Sequence, residues 1–387
     1  MKSVRFGDLC KLQNGRAFKP EEWSEEGTPI VRIQNLNDET KPFNYCNFDV
    51  EKRFWINSGD LLFSWSGTPG TSFGAFFWNR GKGFLNQHIF RVDVKEELVD
   101  KHYLRYALNS LIVKIIDQAH GGVGLKHITK AKLEEVQIPL PPLAEQRQIA
   151  SILDQADELR QKRQQAIEKL DQLLQSTFIE MFGDPVSNPK QFICKTLEQI
   201  SCFENGDRSS NYPSGNDLVF AGIPFLSTKN IRCNVYDETN LNFITEEKFS
   251  SLSRGKVKNN EILITLRGTL GATCIFKSKY DTAFINAQMM IIRSNPLIMS
   301  NDFLHAILSF ESMQEYFRRV GQGAAVPQLT ATQLKKLEII IPSIELQNEF
   351  LRINQEIQKL KNEFSNSFSK YDLLFKSLQN QAFSGTL

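Results

Sequence analysis

The 387-residue sequence has no run of eighteen apolar residues, so it offers no candidate for a membrane-spanning helix. Its first residues, Met1-Lys2-Ser3-Val4-Arg5-Phe6-Gly7-Asp8, lack the apolar core of a secretory signal, and the expectation is a cytoplasmic protein. Cysteine is sparse. Cys10, Cys46, Cys194, Cys202, Cys233 and Cys274 form no Cys-x-x-Cys pair and do not group with the five histidines, which argues against a zinc site or a disulfide framework and for reduced structural thiols. Gly81-Lys82-Gly83 lacks the Ser or Thr and the spacing of a phosphate loop, and no His-Glu-x-x-His occurs. Charge of one sign is missing overall, since the formal net charge is +2. By segment it is roughly +2 for residues 1–142, −3 for 143–184, +3 for 185–342 and zero beyond. Positive charge therefore sits in the globular parts, which permits a polyanionic partner there.

Another absence organises the chain. After the Leu140-Pro141-Pro142-Leu143 corner, glycine and proline disappear until Gly183 and Pro185, as a long helix with a hard stop requires. Within it Ile149, Ile152, Ala156, Leu159, Arg163, Ala166, Leu170, Leu173 and Thr177 recur at steps of three and four, the spacing of a coiled-coil seam. About 201 residues later the same seam returns as Phe350, Ile353, Ile357, Leu360, Phe364, Ser367, Tyr371, Leu374 and Leu378. The chain reads as a duplicated unit, each copy ending in a long helix that supplies the other's partner.

Further blocks recur in the same order. Phe6-Gly7-Asp8-Leu9 reaching Asn14-Gly15 matches Leu197-Glu198-Gln199-Ile200 reaching Asn205-Gly206, with Asn-Gly as a turn signal. Residues 29–36 and 224–231 alternate apolar and polar side chains and are expected to be half-buried strands. Residues 59–70 and 260–271 read as a buried strand entering a Gly-Thr-x-Gly turn, and 84–88 and 284–288 as the entry to another strand. Helices of about fifteen residues are expected from His102 and Asp302, then Gly-rich loops at 121–124 and 321–323, then last strands at 136–139 and 337–340. The expected division is a first domain over 1–142, a central helix over 143–184, a second domain over 185–342 and a C-terminal helix over 343–387. The class is α+β. Between the matched blocks the copies differ almost completely, as a shared scaffold with two recognition surfaces would.

Several of these residues carry a family resemblance. They are Ile138-Pro139-Leu140-Pro141-Pro142-Leu143-Ala144-Glu145-Gln146 with Ile149, the helix end from Leu173-Leu174-Gln175-Ser176 to Phe182-Gly183-Asp184, its counterpart from Phe375-Lys376-Ser377-Leu378 to Phe383-Ser384-Gly385, and the paired Gly-rich loops. Together they resemble the specificity (S) subunit of type I restriction-modification enzymes over nearly the whole chain. The resemblance implies two target recognition domains in inverted, pseudo-two-fold arrangement, joined by two long antiparallel helices. Each domain would read one half of an interrupted, asymmetric DNA site, and the helices would set the unread gap. Two methyltransferase (M) subunits would dock on this frame and use S-adenosylmethionine to methylate adenine N6. Two restriction (R) subunits, with ATP and Mg as their cofactors, would add ATP-driven translocation and cleavage. The second corner departs from the pattern, reading Ile341-Pro342-Ser343-Ile344-Glu345-Leu346-Gln347.

The chain's own residues argue against chemistry in it. An adenine methyltransferase needs an Asn/Asp/Ser-Pro-Pro-aromatic tetrad, and the one Pro-Pro here is flanked by leucines. The triplet Asp93-Val94-Lys95 is too common to mark a nuclease. Base edges are read by amide and guanidinium groups, phosphates by Lys, Arg, Ser, Thr and backbone N–H groups. The candidate DNA contacts at matched turns are Arg32, Gln34 and Asn35 with Lys229 and Asn230; Ser66 and Thr68 with Arg267 and Thr269; and Lys126 and His127 with Gln328. Turn capping is the competing role for each. The loop glycines serve either close approach to a phosphate or a left-handed turn. Shared positions suit phosphate clamping, which places base readout in the unmatched segments 37–58 and 207–222. A stand-alone DNA-binding protein on the same frame is the alternative reading.

Overall fold

The computed structural model describes residues 2–67, 73–117, 126–209, 212–321 and 327–387, Lys126 through its backbone alone. The chain divides into two compact units, Met1–Ala166 with Phe364–Leu387 and Ile167–Glu363. The division falls inside the two long helices, Leu143–Phe182 and Ile344–Ser384, so each unit holds one strand-rich domain and half of each helix.

In the first unit Ser3–Arg5 pairs with Gln137–Pro139 and brings the two ends of the domain together. A four-stranded antiparallel sheet follows, in the order Cys10–Asn14, Ile89–Val94, Asp60–Ser64, Gly74–Trp78. A second sheet has the order Asn44–Cys46, Thr28–Val31, Gly83–Leu85, Trp55–Ile56, with its middle pair parallel. The strand Asp60–Ser64 shows why the sequence stacks these layers. Its Leu61 and Phe63 face a core of Phe6, Tyr103, Leu104 and Ile149, while Leu62 packs with Trp78 and Ile89 of its own sheet against Val31 and Leu85 of the second sheet. A strand covered on both faces carries apolar residues continuously, so Leu61-Leu62-Phe63 shows no alternation.

The second unit repeats this order. Cys194–Thr196 pairs with Glu338–Ile340, and the first sheet runs Ser201–Asn205, Met289–Ser294, Ile262–Thr265, Thr273–Ile275. Ile262 and Ile264 face Phe303, Leu304 and Phe350, whereas Leu263 packs with Cys274 of its own sheet against Leu226 and Ile285 of the five-stranded second sheet. The duplication is therefore one of backbone architecture as well as of sequence pattern.

Both long helices begin at the proline corner, where a buried glutamine ties helix to domain. Gln146 Nε2 donates to the carbonyl of Pro141 at 2.8 Å, and its Oε1 accepts from Asp100 N at 2.8 Å. Gln347 Nε2 donates to Pro342 at 3.0 Å and to Ile298 at 2.9 Å. The second corner thus keeps this glutamine anchor despite its altered sequence. Within each unit the helix halves run antiparallel. Arg160 reaches Asp372 at 3.5 Å while Arg163 lies over Phe364, and in the other unit Lys361 pairs with Asp171 while Phe350 packs on Phe178.

The seam is only partly a seam. Ile149, Ala156, Phe350 and Ile357 are buried and Ile152, Leu170, Ile353, Phe364 and Leu378 half-buried, but Leu159, Leu173, Leu360 and Leu374 are 43–50% exposed. The buried stripe is rotated toward Leu153, Asp157, Phe178 and Phe182, because each half-helix packs on its domain as well as on the other helix. Two local expectations also change. Residues 33–36 lie in a short helix, Ile33–Asn37, whose counterpart is the single turn Thr228–Asn230, since Asn35 and Asn230 cap backbone instead of extending a strand. The fifteen-residue helices are each two, Lys101–Ser110 with Ile112–Asp117 and Asn301–Leu308 with Glu311–Val320. The Gly-rich loops at 121–124 and 322–323 lie outside the described residues.

Candidate nucleic-acid interface

Four chain segments meet at one end of each domain, and the residues that hold them there are the same in both. Gly15 and Gly206 press against the next turn so closely that an added Cβ would stand 2.0 Å from the Asn86 carbonyl oxygen and 2.3 Å from that of Asn286. No side chain fits there, which explains both glycines. Asn86 N donates to Val31 O at 3.3 Å and Asn286 N to Leu226 O at 2.9 Å, fixing the turn to the second sheet. Asn35 and Asn230 do the same work beside it. The Asn35 side-chain oxygen accepts from Arg32 N at 3.1 Å and its nitrogen donates to the carbonyls of Lys41 and Pro42. Asn230 accepts from Ser227 N at 2.9 Å and donates to Asp237 O at 3.2 Å. Both asparagines are buried, so this pair is corrected from candidate DNA contacts to loop anchors.

On this frame the side chains differ between the copies, His127, Arg267 and Gln288 being exposed, Trp65, Ser66, His88 and Gln328 half-buried and Leu266 buried. In the first unit Trp65 N donates to the His88 carbonyl at 3.3 Å, Ile128 N to the Trp65 carbonyl at 3.1 Å, and Ser66 pairs with His127. In the second, Leu266 N donates to Gln288 O and Leu329 N to Leu266 O, each at 2.8 Å, and Arg267 bridges to Gln328. The frame is common; Trp65 and Leu266, Ser66 and Arg267, His88 and Gln288, His127 and Gln328 occupy equivalent places on it.

The other sequence-selected residues fall as follows. Arg32 is half-buried, donating to Asn44 Oδ1 at 3.2 Å with its guanidinium over Trp23. Gln34, Lys229, Thr269 and His127 are exposed. Lys126 contributes its backbone to the pair with Gly67, and Thr68 lies outside the described residues. Sequence reasoning missed the turn after Asn86 and Asn286. Gln87 and Gln288 are exposed there, Arg208 donates to the Ala287 carbonyl at 2.8 Å, and partial burial with the nearby Arg32 charge lowers the His88 pKa. The signal lies in the matched stretches 84–88 and 284–288, of which only the first two residues are strand and the rest form this turn.

Among the described residues no group of three or more His, Cys, Asp or Glu side chains could hold a metal ion, and no helix is long and apolar enough to cross a membrane. Cys10 and Cys274 are buried, and burial pushes both thiols up to about 12.

A duplicated strand-rich scaffold with helix halves in each unit and two unlike exposed ends is the architecture of a two-part recognition protein. Residues 1–169 and 195–369 match the type I restriction modification DNA specificity domain, and the chain belongs to that family. It is 26% identical over 416 residues to the specificity subunit of the type I restriction enzyme EcoBI from Escherichia coli, covering 99% of this chain and 85% of that one. It is 25% identical over 375 residues to the MjaVIII specificity subunit from Methanocaldococcus jannaschii, covering 92% and 86%. In fold it is similar to the S subunit of a type I restriction-modification system from M. genitalium, with TM-score 0.61, 16% identity and coverage of 99% and 96%.

Proposed function

We propose that this chain is the DNA-reading subunit of a type I restriction-modification system, acting in the cytoplasm, in which each domain reads one half of an interrupted asymmetric site and the two long helices set the gap. One observation carries the reading: the same four-segment frame recurs in both domains, while the side chains at equivalent places on it differ, among them the exposed His127, Arg267 and Gln288. Two readers of one sequence would have no reason to diverge there.

The chain itself supplies no chemistry in this reading. Two methyltransferase subunits bind S-adenosylmethionine and modify adenine, and restriction subunits bring ATP and Mg. The exposed leucines support docking of one methyltransferase on each unit, Leu159 and Leu374 on the first, Leu173 and Leu360 on the second. The two docking sites are unequal. The second unit has a groove of about 640 Å³ lined by Leu174, Phe178, Tyr236, Ala306, Phe350 and Asn354. At the equivalent place in the first unit Tyr106 and Leu153 are buried, and Arg105 and Tyr106 bond to Asp154.

The test is single-molecule sequencing for N6-methyladenine in cells expressing this chain with and without its methyltransferase. A two-part motif with an unread gap, appearing when both proteins are present, is the expected result. Methylation that is independent of this chain, or a continuous motif, would overturn the reading.

A further inference from the structure

Arg267 and Gln328 of the second unit stand where Ser66 and His127 stand in the first, and each pair is joined by the same antiparallel bridge. Every half-site has phosphates, whereas its bases are its own. A position that changes between two copies of one scaffold therefore suits a base better than a phosphate.

The surroundings of Arg267 are built to hold it still. It follows the buried strand Ile262–Thr265 and opens a tight loop in which Thr265 N donates to Ala272 O at 2.9 Å, Gly271 N to Thr265 O at 3.0 Å, and Thr265 Oγ1 to the Thr269 carbonyl. Gly271, at φ +71°, is seated on Phe317, where an added Cβ would lie 2.3 Å from ring Cδ2, and its carbonyl accepts from Gln314 Nε2 at 2.9 Å. The guanidinium is held directly as well. Its Nε and Nη2 both donate to Gln328 Oε1, at 3.2 and 2.9 Å. This buttress is a neutral amide, so the cation keeps its charge, and Nη1 with the second Nη2 hydrogen remains for a ligand. Arg267 is nevertheless exposed.

A planar fork, fixed along one edge and open along the other, matches the paired O6 and N7 acceptors of guanine in the major groove. We infer that Arg267 is the guanine-reading side chain of the second unit and that Gln328 is its positioning residue, an inference that rests on the DNA-reading role proposed above. Ser66 has a single hydroxyl donor and cannot make that bidentate pair, so this guanine dependence belongs to the half-site of the second unit alone. Holding the fork in advance spares the rotamer entropy that a free arginine would lose on binding.

The test uses the chain assembled with its methyltransferase and a panel of duplexes in which each base pair of both half-sites is varied in turn. The wild type is expected to show one G·C pair, in the half-site read by the second unit, that it favours by roughly tenfold to a hundredfold. Arg267→Ala removes that preference and leaves the other positions intact. Arg267→Lys removes most of it too, because an ammonium is a point charge, and this milder variant decides the matter if the alanine variant is poorly folded. Gln328→Ala reduces discrimination at the same base pair and at no other. A uniform loss across all duplexes with the preference retained would make Arg267 a phosphate contact and overturn the inference, as would a half-site without guanine. A wild-type complex that discriminates no duplex would instead sink the DNA-reading role itself.

Discussion

Asp207 illustrates how single residues hold the recognition end in shape. Its buried carboxylate accepts from the backbone N–H of Ser209 at 2.7 Å and, on the other side, from Ser253 N at 3.2 Å and Ser253 Oγ at 3.1 Å, clipping two loops together. The Ser209 N–H, with those of Ser253, lowers its pKa from 3.8 to about 2. A carboxyl whose folded pKa is depressed adds stability that is present above its unfolded pKa and is lost as pH falls through the folded one. Asp207→Asn is expected to lower unfolding free energy by about 2 kcal/mol at neutral pH and to flatten the decline between roughly pH 4 and pH 2. Denaturant titrations across that range check it; an unchanged acid limb would count against the clip. Asn35 and Asn230 act in the same way without charge, each buried with both its amide oxygen and its amide nitrogen bonded inside the loop.

At the scale of elements, the long helices carry more apolar surface than their own packing uses. A helix face that meets a domain on one side and another helix on a second leaves part of a heptad stripe uncovered, and here that part is the same in both copies. Replacing Leu159 and Leu374 together by lysine is expected to leave thermal stability nearly unchanged, within about 0.5 kcal/mol per site. The same double change should reduce the bound methyltransferase from two copies to one, as native mass measurement would show. Retention of both copies would mean that the leucines are not the docking surface.

The whole molecule makes a prediction about length. Each long helix passes through both units, so residues added where the units divide, after Ala166 and after Glu363, lengthen the frame without touching either domain. One heptad adds about 10 Å of helix, equivalent to roughly three base pairs of duplex. Inserting a heptad at both places is expected to widen the unread gap of the methylated motif by about that number while both half-sites stay the same. An unchanged gap would show that the helices do not set the spacing.

Much of this protein was decided by its sequence alone. The duplication, the two long helices with their ends, the family and the strand-rich domains were all legible, because periodicity, glycine-proline punctuation and paired blocks are local properties. The strand Asp60–Ser64 was found for the same reason, whereas the expected Asn-Gly turns are strand ends, with Gly15 and Gly206 making room for the Asn86 and Asn286 carbonyls. Tertiary structure decided which face of each helix is covered, and it turned Leu159, Leu173, Leu360 and Leu374 outward, since the domain competes with the second helix for each stripe. It also separated anchors from readers. Asn35 and Arg267 look alike as polar residues at matched turns, but whether a side chain's hydrogen-bonding atoms are used inside the fold or left for a ligand depends on how the loop closes around it and on which segment reaches it. The Asn35 amide is taken up by Arg32, Lys41 and Pro42, whereas Arg267 is steadied by Gln328, sixty-one residues away, and keeps donors free.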